Sequence, residues 1–126
     1  MADAGVTHMQ WDLSHGVAVV EVLTHKIDQP HLARELGAQL HALVQENPSK
    51  QFLLDLHRVR YLSSTAFAGL LEFWKTAKAA GVQVRICAMD PDVRIGADII
   101  SLGRLIPIHE DKASALTAFA SDNTSA

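Results

Sequence analysis

The sequence holds a single cysteine, Cys87. No internal disulfide can staple the chain, which suits a reducing compartment, and a cytoplasmic protein is expected. Charge of one sign is also missing as a pattern. Eleven Lys and Arg stand against fourteen Asp and Glu, for a net charge of −3. The basic residues are interleaved with acids and form no stripe, which argues against nucleic acid as a partner. No apolar run approaches the ~20 residues that cross a bilayer. The opening residues lack a basic and then apolar leader, so no signal peptide is expected. Gly-x-Gly-x-x-Gly, Walker and Gly-x-Ser-x-Gly patterns are absent, which removes the usual nucleotide sites and hydrolase elbows. The seven histidines show neither an i, i+4 pair nor a His/Cys cluster. His25 and His31 flank a proline, and His57 and His109 fall on separate elements, so no metal site is expected. No cofactor is expected, and the reading is of a protein without catalysis of its own. His57 precedes a serine that it could serve as a base, but nothing supplies an oxyanion hole.

What is present is ordinary globular composition, with 48% apolar and 20% charged residues in 126, enough for one domain with a real core. The domain is expected over residues 8–120, with loose ends at 1–7 and at 121–126, the latter small and polar. His8–Leu13 and Val17–Leu23 read as strands joined by a turn at Gly16, the second rich in β-branched residues. Pro30 suits the start of a helix, capped by Asp28 or Gln29, and Leu32, Leu36, Leu40, Leu43 and Val44 make its apolar face. Asn47 and Pro48 end it. Gln51–Leu56 is a short apolar run that fits a buried central strand. A second helix starts at Ser63, Ser64 and Thr65, carries Phe67, Leu70, Leu71 and Trp74, and stops at Gly81. Val82–Ala88 is a strand with Cys87 buried in it. Asp90 opens a third helix, reaching about Leu102. Leu105–Ile108 is an edge strand that tolerates Pro107. Asp111 caps a last helix to about Ala120, with Ala115, Leu116 and Phe119 facing in. The order β-β-α-β-α-β-α-β-α predicts a mixed, mostly parallel sheet with helices around it and an antiparallel first hairpin.

One stretch invites a functional reading. A buried strand leads, through a short connection, into three consecutive hydroxyl residues at a helix start. Hydroxyls there accept bonds from free backbone N–H groups, and capping alone accounts for at least one of them, with Thr65 favoured because it stands one residue nearer the apolar run. The same electropositive end tolerates a phosphate, so a phosphorylated serine would leave the fold standing. Asp28, Asp55 and Asp90 fall near strand ends that gather on one side. They could form an acidic rim around Ser64, although capping and solvation also explain each.

From Val17 to Phe119 the chain resembles the STAS family, named for sulfate transporters and anti-sigma factor antagonists. Ile27-Asp28 before the first helix is similar to the family's Leu-Asp. Leu53-Leu-Asp-Leu56 matches its central strand. Tyr61-Leu-Ser-Ser-Thr-Ala-Phe67 is similar to aromatic-x-Asp-Ser-Ser-Gly-Leu. The segments Ala79–Cys87 and Ser101–Ile108 match its later Gly-Gly-x-Leu-x-Leu and Gly-Leu-x-x-x-(Phe/Ile) segments. In the family's anti-sigma factor antagonists, the serine after the Asp is phosphorylated by a partner kinase, and that position is Ser64 here. Phosphorylation releases the antagonist from the kinase, and a phosphatase restores it. The sequence departs from the pattern at three places: Ser63 stands for the Asp, Thr65 for the second serine and Ala66 for the glycine. The resemblance therefore implies a regulatory domain that binds a histidine-kinase-like anti-sigma factor and is switched at Ser64, with Thr65 as second choice for the phosphate. The expected partner face comprises Asp28, Ser63, Ser64, Thr65, Phe67 and Asp90. The alternative is an unswitched interaction subunit, as in lipid-transport ABC systems or signalling scaffolds, because many relatives keep the fold without the switch. Neither reading involves nucleic acid or insertion into a membrane.

Overall fold

The computed structural model describes residues 8–47 and 49–124. The first seven and last two residues, within the ends read as loose, lie outside the described residues.

A five-stranded sheet runs in the order β1-β2-β4-β6-β7. Strand β1 (Met9–Ser14) pairs antiparallel with β2 (Val17–Val22), through a turn where His15 and Gly16 both take positive φ. The pairs β2 with β4 (Gln51–Asp55), β4 with β6 (Gln83–Cys87) and β6 with β7 (Ile108–His109) are all parallel. The expected mixed sheet with one antiparallel edge is therefore the observed one. Leu54, Leu56, Val84 and Ile86 are buried in or beside its central strands, as expected of strands covered on both faces.

One face of the sheet is covered by α1 (Pro30–Glu46), α2 (Ser64–Ala79) and α3 (Pro91–Ile99). Their apolar residues, among them Leu36, Leu40, Phe67, Leu70, Phe73, Val93 and Ala97, join Val20, Phe52, Leu54 and Ile86 in the main core. The other face carries α4 (Lys112–Thr124) alone, whose Ala115 and Phe119 pack on Val17, Leu53 and Cys87. Alternation along the strands decides this division: Leu54 faces three helices, and its neighbours Leu53 and Asp55 face the α4 side.

Three boundaries differ by more than one residue from those read in the sequence, and each difference has a local cause. The third helix ends at Ile99, short of Leu102. Ser101 takes a left-handed φ of 56°, and a 3₁₀ turn over Leu102–Arg104 follows, which buries Leu102. That winding continues, with the N–H groups of Leu105 and Ile106 both bonded to the Leu102 carbonyl. Pairing with β6 therefore starts where the Pro107 carbonyl accepts from Ile86 N–H at 2.9 Å, and β7 begins at Ile108, later than expected. The last helix runs on to Thr124, so its backbone is helical through four residues read as a loose end. Of the two residues expected to cap the first helix, Gln29 holds the N-cap position, with no side-chain bond, and Asp28 does not.

Two strands of two residues each are absent from the sequence reading: β3 (Lys26–Ile27) and β5 (Tyr61–Leu62). They pair in parallel as a separate small sheet, Lys26 opposite Tyr61 and Ile27 opposite Leu62. Elements this short have no periodicity to detect, yet they position the candidate site.

Candidate functional site

The small sheet joins two loops that the main sheet leaves apart. Arg60 N–H donates to the His25 carbonyl at 2.7 Å, and Ser63 N–H donates to the Ile27 carbonyl at 3.0 Å. Asp28 is therefore held next to the start of α2. Its side chain is exposed and has no hydrogen-bond or ion-pair partner among the described residues.

The three hydroxyl residues have three different situations. Ser63 is the N-cap of α2: its backbone is extended (φ −71°, ψ 166°), and its Oγ accepts from Ala66 N–H at 3.1 Å. The sequence favours Thr65 as this cap, and the structure puts Ser63 there instead. Ser63 is the last extended residue, which places its hydroxyl over the free N–H three positions on. Ser64 is the first helical residue and is exposed. Thr65 is also exposed, but on another side of the helix. Ser64 borders a groove of ≈ 420 Å³ between α2 and α3, whereas Thr65 borders one of ≈ 270 Å³ between α1 and α2.

The α2–α3 groove is apolar. Leu62, Phe67, Ala68, Leu71, Ile99 and Ile100 line it with Ser64. Ile99 is 77% exposed and Ile100 44%, more apolar surface than a helix end usually offers to water. Gly96 sets the depth of the groove: a Cβ there would lie 2.9 Å from Phe67 Cε2. Phe67 itself is only 7% exposed. It is expected on the partner face, and it forms the groove's floor and packs into the core.

Asp90 reaches this corner from the third loop. Its Oδ1 accepts from Asp92 N–H at 2.9 Å, capping α3, and its Oδ2 takes Arg60 Nη1 at 2.8 Å. The Asp92 amide first, and the Arg60 guanidinium second, hold the Asp90 carboxyl below the usual range. Of the two readings open for Asp28, Asp55 and Asp90, an acidic rim is not formed around Ser64. Asp90 is neutralised by Arg60, and Asp55 lies on the α4 side of the sheet, only 9% exposed, with its Oδ1 bonded to His57 N–H at 3.0 Å. Asp28 remains the unpaired acid of the corner. His57 is committed elsewhere too: its Nδ1 lies 2.9 Å from Asp55 Oδ1 and its Nε2 3.3 Å from Glu21 Oε2. Neither ring nitrogen is left to serve Ser64 as a base. Arg58 Nε also binds Glu21 Oε2, at 2.7 Å, and this bond leads the causes that lower the Glu21 pKa.

Among the described residues, no group of three or more His, Cys, Asp or Glu side chains could hold a metal ion. No helix among them is long and apolar enough to cross a membrane. His109 accepts from Arg85 Nη1 at 3.1 Å on Nε2. Burial, and then the Arg85 charge, lower its pKa.

Comparison with known proteins adds the family. A family model for the STAS domain matches residues 11–115. The chain is 23% identical over 112 residues to an anti-sigma F factor antagonist of Paenibacillus polymyxa, covering 87% of this chain and 94% of that protein. Among solved structures, an anti-sigma-factor antagonist (STAS) domain protein from Planctomyces limnophilus superposes with a TM-score of 0.78 at 17% identity, covering 90% of this chain and 98% of that one. The phosphorylated form of the Bacillus cell fate determinant SpoIIAA gives a TM-score of 0.64 at 12% identity, covering 88% of this chain and 98% of its own.

Proposed function

This chain belongs to the STAS domain family, and from that premise we propose that it is an anti-sigma factor antagonist, docking on a histidine-kinase-like anti-sigma factor and switched by phosphorylation at Ser64. The observation that carries this reading is the division of labour among the hydroxyls. Ser63 caps α2, so Ser64 is an exposed acceptor at the helix N-terminus whose modification leaves the cap intact. The kinase transfers the γ-phosphoryl group of ATP to Ser64 Oγ, the hydroxyl proton goes to a base of the kinase, and ADP leaves. The phosphate adds about 1.5 to 2 negative charges, beside free N–H groups that tolerate them. The partner meets those charges at the mouth of an apolar groove, where desolvation opposes docking. A phosphatase reverses the step. A cytoplasmic location fits this role. That a relative matching most of the chain carries the name antagonist, and that one solved neighbour is a phosphorylated form, supports the reading.

A second reading rests on Ser63 standing where the family carries Asp. It is an unswitched interaction subunit, of a lipid-transport ABC system or a signalling scaffold, that uses the same corner. Incubation with the cognate kinase and ATP, followed by phosphate mapping, separates the two. Phosphate on Ser64, with Ser64→Asp weakening kinase binding and Ser64→Ala resisting modification, supports the switch. Phosphate on Thr65 reassigns it to the α1 side of the helix, and no phosphate on either residue favours the scaffold. Asp28→Lys is expected to weaken binding with the melting temperature nearly unchanged, and equal binding by this variant would count against the corner.

A further inference from the structure

Strand β1 is the free edge of the sheet: among the described residues no strand pairs with its outer side. Proteins usually blunt such an edge with lysine, proline or a bulge. Met9–Ser14 contains no Lys or Pro, and it pairs with β2 through six consecutive residues without a bulge. Leu23 N–H bonds the His8 carbonyl at 2.7 Å. Alternation along an antiparallel ladder then turns the N–H and C=O groups of Met9, Trp11 and Leu13 outward. The side chain of Asp12 offers the sole local protection, accepting from Leu13 N–H at 2.8 Å. Trp11 is 45% exposed and Leu13 52%, and both stand on the sheet face that α1 covers.

We propose that two copies of the chain pair antiparallel through β1, in the two-fold register centred on Trp11. This strand is self-complementary in that register. Trp11 faces Trp11 of the second copy, Met9 faces Leu13, and Gln10 faces Asp12. The Gln10 amide, whose Nε2 now donates to Glu21 Oε1 at 2.7 Å, has a second N–H for the Asp12 carboxylate of the other copy, which thereby leaves Leu13 N–H free for the ladder. The register centred on Asp12 sets that carboxylate against itself, which is unfavourable. The register centred on Gln10 carries Leu13 past the start of the strand. A notch supplies an independent reason for the first register. Met9, Trp11, Gln39, Ala42, Leu43 and Glu46 line a hollow of ≈ 230 Å³ between β1 and α1, on the same face as Met9. Leu13 of the second copy, opposite Met9, fills it, and the two-fold axis fills two such notches at once. This inference does not depend on the switch at Ser64.

Sedimentation equilibrium of the whole chain tests it. A dimer population rising with concentration is expected, and Leu13→Lys should weaken it by about ten-fold or more, because a leucine leaves its pocket. Leu13 is half exposed in the single chain, so this variant keeps its circular dichroism and melting temperature. Register is read by cross-linking. Trp11→Cys should oxidise to a disulfide-linked dimer, while Asp12→Cys should not, and Cys87 is fully buried and does not compete. A monomer at every concentration up to near-millimolar overturns the proposal, as does a dimer indifferent to Leu13→Lys. Cross-linking through Asp12→Cys instead of Trp11→Cys overturns the register. A strand of a different protein captured at this edge by an otherwise monomeric chain overturns the self-pairing.

Discussion

Removing the Ser63 hydroxyl, while leaving that of Ser64, separates capping from signalling. The Ser63 Oγ satisfies the Ala66 N–H, one of the donors that the first turn of α2 leaves free, at 3.1 Å. Loss of such a cap costs about 0.5 to 2 kcal/mol. Ser63 is half-buried, so water replaces the lost bond poorly and the middle of that range, about 1 kcal/mol, applies. For a chain of 126 residues this lowers the melting temperature by roughly 3 to 6 °C. Ser64→Ala, by contrast, removes an exposed hydroxyl that makes no hydrogen bond among the described residues and should change stability by less than about 0.5 kcal/mol. Ser63→Asp retains an acceptor and adds a negative charge at the helix N-terminus, which contributes about 0.3 to 1 kcal/mol. It should be at least as stable as the parent. Chemical denaturation of the three variants gives the order directly. Equal losses for Ser63→Ala and Ser64→Ala would refute the assignment of the cap, and with it the claim that Ser64 is free for modification.

Gly96→Ala places a methyl group 2.9 Å from the Phe67 ring. Overpacking, about 2 kcal/mol at the middle of its range, outweighs the ~1 kcal/mol gained in helix propensity, so denaturation should show a net loss, together with weaker partner binding as the groove loses depth. The carboxyls of Asp90, Asp111 and Glu21 are all held below their ordinary values by hydrogen bonds. Each therefore contributes stability that is complete above the ordinary carboxylate range and is lost as pH falls below it through the folded-state value. Acid titration of Asp90→Asn, which lacks that dependence, should show a shallower loss than the parent. Cys87 has its thiol pushed up to about 12, first by burial and second by the Asp55 charge. A disulfide reagent should label it at a rate set by opening of the fold, and rapid labelling of the native chain would contradict its burial.

The main architecture was legible because its signals are periodic. β-branched and apolar runs with the spacing of strands locate the strands of the five-stranded sheet, apolar residues at helical spacing locate α1 and α2, and the starts at Asp90 and Asp111 locate α3 and α4. The errors fall where a boundary depends on contacts distant in the chain. Nothing local in Ser101 announces a left-handed residue. Nor does the run from Leu105 to Ile108 reveal that its first N–H groups are taken by the Leu102 carbonyl. The candidate site was half legible. Ser64 and Asp28 were found through the family pattern, but the β3–β5 pair that brings them together has only two residues on each side. The apolar groove is formed by residues of α2 and α3 that sequence reading counts simply as helix surface or core. Gly96 gave no usable signal: Gly37 and Gly69 also lie inside helices, with nothing near their Cβ positions, and only the close approach of Phe67 sets Gly96 apart.

The departure at Ser63 bears on how such a switch is tuned. An aspartate at the cap would keep one negative charge beside Ser64 at all times, so a phosphate would add to an existing field. With serine in that place, the N–H groups of the first turn of α2 face a neutral cap, and the Arg60 guanidinium is shared with Asp90 rather than with the cap. The charge change on phosphorylation is then larger relative to the resting state, and the free N–H groups are less compensated before it. Ser63→Asp should therefore reduce the difference in kinase affinity between the unmodified and phosphorylated proteins, by weakening the unmodified complex. Paired binding titrations of both forms, in the parent and in Ser63→Asp, measure that difference. An unchanged ratio would show that the partner senses the bulk of the phosphate at the groove mouth and not its charge.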